Sequence, residues 1–181
     1  MKLNDTQEFV KVLAIAIIAG FAGISMLQKL SDNLLQKVEA VNQEVKTLKL
    51  HERTNEFIRT ANFYFDNNQY EEAIIDYDHA LKIDPKNTNA LIAKGVTLKR
   101  LGRVDSAFDV VENILKIYPD NQKALYNRAC YGNLLKHNRT EVLNDLKKTC
   151  ALSSEFKQFA LNDPDFEDLH DDKEFKKITE N

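Results

Sequence analysis

Apolar and polar residues follow three rhythms along this chain. Val12 to Leu27 form an uncharged run, VLAIAIIAGFAGISML, that is apolar on every side of a helix. Between Ile24 and Leu48 the rhythm becomes a heptad. Ile24, Val38 and Val45 hold one seam position, interrupted by Ser31, while Leu27, Leu34, Val41 and Leu48 hold the other without a break. From Thr54 onward apolar residues return at helical spacing in shorter segments, separated by turn residues such as Asp66-Asn67-Asn68 and Leu101-Gly102-Arg103. The pattern predicts an all-α chain: a hydrophobic helix over 12–27, a coiled-coil or stalk helix over 28–53, and helix pairs beyond.

The uncharged run spans roughly 24 Å at ~1.5 Å per residue, against a hydrocarbon core of ~30 Å. Phe9 and Val10, with Lys11 snorkelling, lengthen it enough to cross. It is expected to be a transmembrane helix anchoring a single-pass membrane protein, preceded by a polar flank over 1–11. Two other readings stay open: a signal peptide cleaved near Gly20 and Ala22, and a buried core helix. Lys2 and Lys11 on one flank and Lys29, Lys37 and Lys46 on the other are too evenly shared for the positive-inside rule to assign a side. The heptad over 24–48 predicts a self-associating stalk, hence a homo-oligomer. Its alternative is an amphipathic helix folded back on the rest of the chain.

Ala80-Leu81-Lys82-Ile83-Asp84-Pro85 is echoed 34 residues later by Ile114-Leu115-Lys116-Ile117-Tyr118-Pro119, using two of the three prolines. Proline at a fixed interval in helical sequence is punctuation, because it cannot sit in a helix interior without losing a hydrogen bond. The unit resembles the tetratricopeptide repeat. Phe57, Thr60, Ala61, Tyr64, Ala73, Tyr77, Ala80 and Pro85 fall on the family's positions in a first repeat over 54–87. Leu91, Gly95, Leu98, Ala107, Val111, Ile114 and Pro119 do so in a second over 88–121. A degenerate third covers 122–156, with Leu125, Ala129, Tyr131, Val142, Leu146 and Thr149 in place and a turn one residue longer. Residues 157–181 resemble the closing segment of such proteins, so the resemblance implies an α-solenoid of about three helix pairs with a helical cap.

Composition narrows the function. A net charge of −3 leaves no basic surplus for nucleic acid. His51, His79, His137 and His170 are scattered and read as surface residues. Cys130 and Cys150 have no metal-ligand spacing and read as buried thiols. Asp163, Asp165, Glu167, Asp168, Asp171 and Asp172 read as a solvated acidic face. No catalytic set, metal site or cofactor is expected, and no enzyme.

In tetratricopeptide proteins the first helix of each pair lines a concave groove that holds a peptide or partner helix. By resemblance that groove is expected to show Asn55, Arg59 and Asn62 from the first repeat, Asn89, Lys99 and Arg100 from the second, and Lys123 and Asn127 from the third. Lys94, Lys99, Arg100, Arg103, Lys123, Arg128 and Lys136 make the first-helix segments basic, and acid gathers on the second helices. This suits a protein or peptide partner with an acidic segment. At the family's five carboxylate-clamp positions stand Ile58, Asn62, Ala93, Lys123 and Asn127, of which only Asn62 and Lys123 agree. That clamp is not expected. The resulting expectation is a membrane-tethered adaptor or scaffold; the alternative is a structural accessory subunit of a larger membrane complex.

Overall fold

The computed structural model describes residues 3–180, so Met1 and Lys2 of the polar flank lie outside the described residues. Among those residues the elements are all helical: α1 (Leu3–Asp66), α2 (Tyr70–Ile83), α3 (Thr88–Arg100), α4 (Val104–Ile117), α5 (Gln122–Leu134), α6 (Arg139–Leu152), α7 (Glu155–Asn162), a 3₁₀ turn (Pro164–Leu169) and α8 (Lys173–Glu180). The chain divides into two compact units between Lys49 and Leu50, inside α1.

The first unit buries none of its described side chains. From Glu8 to Lys49 every residue is exposed, including Ile17, Phe21, Leu27, Leu34 and Val41. It contains one stretch long and apolar enough to cross a membrane. The heptad positions lie on helix throughout.

The second unit holds the core. Its six helical segments from Leu50 to Leu152 form three hairpins, and from α2 onward each helix packs on the next. Small residues set that packing. Ala61, Ala73, Ala80, Ala90, Ala107, Ala124 and Ala129 are fully buried, so neighbouring helices approach where a larger side chain would separate them. Tyr77, Val111, Ile114, Leu125, Tyr131 and Leu146 fill the remaining interior.

The helix ends repeat as faithfully as the core. α2 and α4 stop at Asp84 and Tyr118, whose amides return to Ala80 and Ile114 carbonyls, and Pro85 and Pro119 prevent continuation. Asn87 and Asn121 then cap α3 and α5, each side chain accepting from the amide three residues on at 3.1 and 3.0 Å. Within the hairpins the backbone turns through positive φ at Asn68 (58°), Gly102 (75°) and Lys136 (56°). The three sites are spaced by the same repeat, yet only one is glycine. The last hairpin loop, 135–138, is one residue longer than 67–69 and 101–103.

The C-terminal segments complete the core instead of trailing from it. Phe166 and Phe175 are fully buried and Leu169 nearly so, in one cluster with Tyr126, Ala129, Leu143 and Leu146. Asp163 caps the 3₁₀ turn by accepting from Asp165 N at 3.0 Å, and Pro164 takes its first position.

Candidate functional site

The eight sequence-predicted site residues all fall on first helices: Asn55, Arg59 and Asn62 on α1, Asn89, Lys99 and Arg100 on α3, Lys123 and Asn127 on α5. Asn55, Arg59, Asn89, Arg100 and Lys123 are exposed, Asn127 half-buried. Among the described residues, Arg59, Arg100 and Lys123 make no ion pair. Asn62 has a structural tie as well, because its Oδ1 accepts the Tyr77 hydroxyl at 2.6 Å. Burial and the nearby charge of Asp66 push that hydroxyl's pKa up to about 12, so it remains a donor.

Much of the base on the first helices is already neutralised. Lys94 meets Asp78 at 2.6 Å, and Arg103 lies 3.6 Å from Glu71. Arg128 donates through Nε and Nη2 to both carboxylate oxygens of Asp145, at 2.7 and 2.8 Å, and through Nη1 to Glu112 at 2.6 Å. Lys94 thus ties α3 to α2, and Arg128 ties α5 to both α4 and α6. A cleft of about 570 Å³ opens there, between α4, α5 and α6, around Phe108, Arg128 and His137. None of the eight predicted residues lines it. The fork–fork pairing fixes Arg128 in place and holds its charge.

The acidic C-terminal run meets expectation in part. Glu167, Asp168 and Asp171 are exposed, but the 3₁₀ turn packs on α5, and Asp163, Asp165 and Asp168 are met by donors from α3, α5 and the loop after α5. Lys99 Nζ pairs with Asp165, whose side chain is only 8% exposed. Tyr126 donates to Asp163 at 2.9 Å. Asn133 Nδ2 donates to the Asp165 carbonyl at 2.7 Å and to Asp168 at 2.6 Å, and Lys136 Nζ reaches Asp168 at 2.6 Å. The bonds from Lys136 and Asn133 hold the Asp168 carboxyl below its ordinary range. Farther on, Arg139 pairs with Asp172. Desolvation explains why the run turns inward: Phe166 must be buried, and its flanking carboxylates need partners wherever it goes.

Beneath the turn lies Cys130, 2% exposed, with its sulfur 3.6 Å from Asp163. Burial and the neighbouring carboxylates push its thiol pKa up, which leaves it a poor nucleophile. The Cys130, Asp163 and Asp165 donor atoms lie within 4.8 Å of one another, the spacing a metal would need. Lys99 already supplies the positive charge at that point. Both cysteines are free and buried. The histidines are less uniform than expected: His170 packs on Phe175 at 5.6 Å, with its Nε2 buried and without a hydrogen-bond partner among the described residues.

Sequence reasoning missed Tyr126, Asn133 and Lys136 as partners of the C-terminal run. The available signal was the run itself, Asp163-Pro164-Asp165-Phe166, in which a large apolar residue sits among acids.

Comparison with known proteins fits this geometry. Residues 61–102 match the TPR repeat family. The first TPR of Spaghetti (RPAP3), solved bound to the HSP90 peptide SRMEEVD, superposes with a TM-score of 0.53 at 19% identity, covering 71% of this chain and 92% of that one. The repeats have the tetratricopeptide fold. MamA protein gives a TM-score of 0.57 at 16% identity over 72% of this chain and 71% of its own. The Yersinia enterocolitica type III secretion translocator chaperone SycD gives 0.52 at 14% over 72% and 87%. Sperm-associated antigen 1 of Mus musculus is 30% identical over 85 residues, which are 47% of this chain and 8% of the mouse protein. The matched stretch therefore spans less than a tenth of that relative's length.

Proposed function

We propose that this chain is a membrane-tethered adaptor, held by the helix over 12–27, whose repeats bind an acidic segment of a partner protein on the first helices α1, α3 and α5. The observation that carries the reading is chemical. Lys99, Asn133 and Lys136 already grip an acidic segment, the chain's own, while Arg59 on α1, Arg100 on α3 and Lys123 on α5 carry exposed charge without an ion pair among the described residues. Exposed apolar side chains along the first unit support the tether and a self-associating stalk, since nothing within that unit covers them.

Co-purification from detergent-solubilised membranes tests the adaptor. Charge reversal at Arg59, Arg100 and Lys123 is expected to lose the partner while the helical circular dichroism signal stays unchanged. Undiminished partner yield would assign binding elsewhere. For the tether, the full chain is expected to resist alkaline extraction. Ile17→Arg, at about 2.5–3.5 kcal/mol of insertion penalty, is expected to release part of it. Extraction of the parent chain would overturn the anchor. Leu34→Asp with Val41→Asp is expected to leave the repeats folded and reduce the mass by light scattering to that of a monomer. An unchanged mass would remove the stalk.

A further inference from the structure

The carboxylates of the 3₁₀ turn take their partners from far along the chain. Lys99 is 66 residues from Asp165, and Asn133 and Lys136 are 35 and 32 residues from Asp168. The repeats thus supply the donors and the turn supplies the acceptors, around an aromatic residue, Phe166, that is fully buried. This division of roles is that of a receptor and its ligand. We propose that the face of α3 and α5 beneath the turn is a receptor for acidic segments centred on an aromatic residue, and that Pro164–Leu169 is its resident, exchangeable occupant. The proposal rests on the adaptor reading and specifies its ligand.

Three features support exchange. The resident is a six-residue 3₁₀ helix, whose hydrogen bonds have poorer geometry than those of an α-helix. A cleft of about 380 Å³ runs beside it, bounded by Asn133, Lys136, Pro164 and Asp168, so the exposed Lys136 stays reachable with the resident in place. Lys136 occupies a left-handed position (φ 56°) where the preceding hairpin has Gly102. A side chain with a backbone cost at that site is one that reaches a carboxylate. Tethering gives the resident an effective concentration in the millimolar range, so an outside segment binds only by competing with it.

Cys130 makes the exchange measurable, since its thiol lies under the turn. The full chain carrying Cys150→Ala has Cys130 as its single thiol. In this background Asp165→Asn with Asp168→Asn keeps the shape of the turn and weakens its grip. The probe is a labelled synthetic peptide of residues 162–171. We expect Cys130 to react with an aromatic disulfide reagent roughly tenfold faster in the double variant. The peptide is expected to bind that variant roughly tenfold more tightly than the parent. A peptide carrying the same two substitutions is expected to bind neither. Equal thiol rates would overturn the proposal, and so would an opened thiol with no peptide binding. If the double variant loses its helical signal, Asp168→Asn alone, at a half-exposed site, repeats both measurements with the same criteria. The adaptor reading stands or falls separately, on co-purification through Arg59, Arg100 and Lys123.

Discussion

Lys99 and Arg100 are neighbours on the last turn of α3, yet their surroundings differ completely. Lys99 is half-buried and pairs with the nearly buried Asp165. Arg100 is exposed and makes no ion pair among the described residues. The same division separates Asn133 and Lys136, which hold the C-terminal turn, from Arg59 and Lys123, which hold nothing comparable. Counting base on the first helices therefore overstates the charge free to meet a partner. One part of it is structural, and its ligand is already built into the chain.

The largest test of that division concerns the anchor of the turn. Phe166→Ala empties a fully buried site packed edge-on against Tyr126 at 5.9 Å. A loss of about 3–5 kcal/mol is expected in urea denaturation of the repeats. A loss below about 1 kcal/mol would mean that the turn decorates the last hairpin instead of completing its core.

Next come the two neighbours themselves. Lys99→Ala leaves the Asp165 carboxylate without its cation, and a loss of about 1.5–3 kcal/mol is expected. Arg100→Ala should change stability by no more than about 0.5 kcal/mol, as for an ordinary surface site. Equal effects on the midpoint of unfolding would erase the distinction between held and free cations.

How much of this was legible beforehand follows from the range of the interactions. The hairpins were, because Pro85 and Pro119, and the small residues Ala61, Ala73 and Ala107, act within a turn or against an adjacent helix. The 34-residue period therefore writes them into the sequence twice. The grip on the C-terminal run was not, because Lys99 and Asp165 meet across 66 residues and their pairing occurs once. An acidic run also reads as soluble surface until the burial of Phe166 is known. Of the eight predicted site residues, Lys99 is the one whose charge proves to be committed within the chain.

A third effect, smaller than that of Lys99→Ala but above the bound set for Arg100→Ala, lies in the hairpin turns. Gly102 sits at φ 75° with open space where a Cβ would go, so Gly102→Ala is expected to cost about 1–2 kcal/mol through backbone conformation alone. Lys136 already bears that cost at the equivalent position. Lys136→Gly is expected to relieve it while losing the exposed contact to Asp168, and the net change in midpoint should be smaller than for Gly102→Ala. A large loss on Lys136→Gly would make that contact stronger than its exposure allows.

The smallest effect is the dependence of the turn on acid. Hydrogen bonds from Lys136 and Asn133 lower the Asp168 pKa in the folded chain from an ordinary value of 3.8. With the folded value depressed, the unfolded chain binds this proton first as the pH drops, so folding loses stability in acid. The contribution is complete above the ordinary carboxylate range and is lost as the pH falls through the folded value. Asp168 is half-exposed, so the term is modest and weakens with salt. Comparing the unfolding midpoints of the parent and Asp168→Asn should show a gap at neutral pH that closes below 3.8, and closes less steeply at high ionic strength. The same comparison for Arg100→Ala should show no such pH dependence, because no carboxylate of the described residues is paired with it. A gap for Asp168→Asn that persisted into acid would mean that the amide itself disturbs the turn. The held charges would then owe their place to shape, with electrostatics secondary.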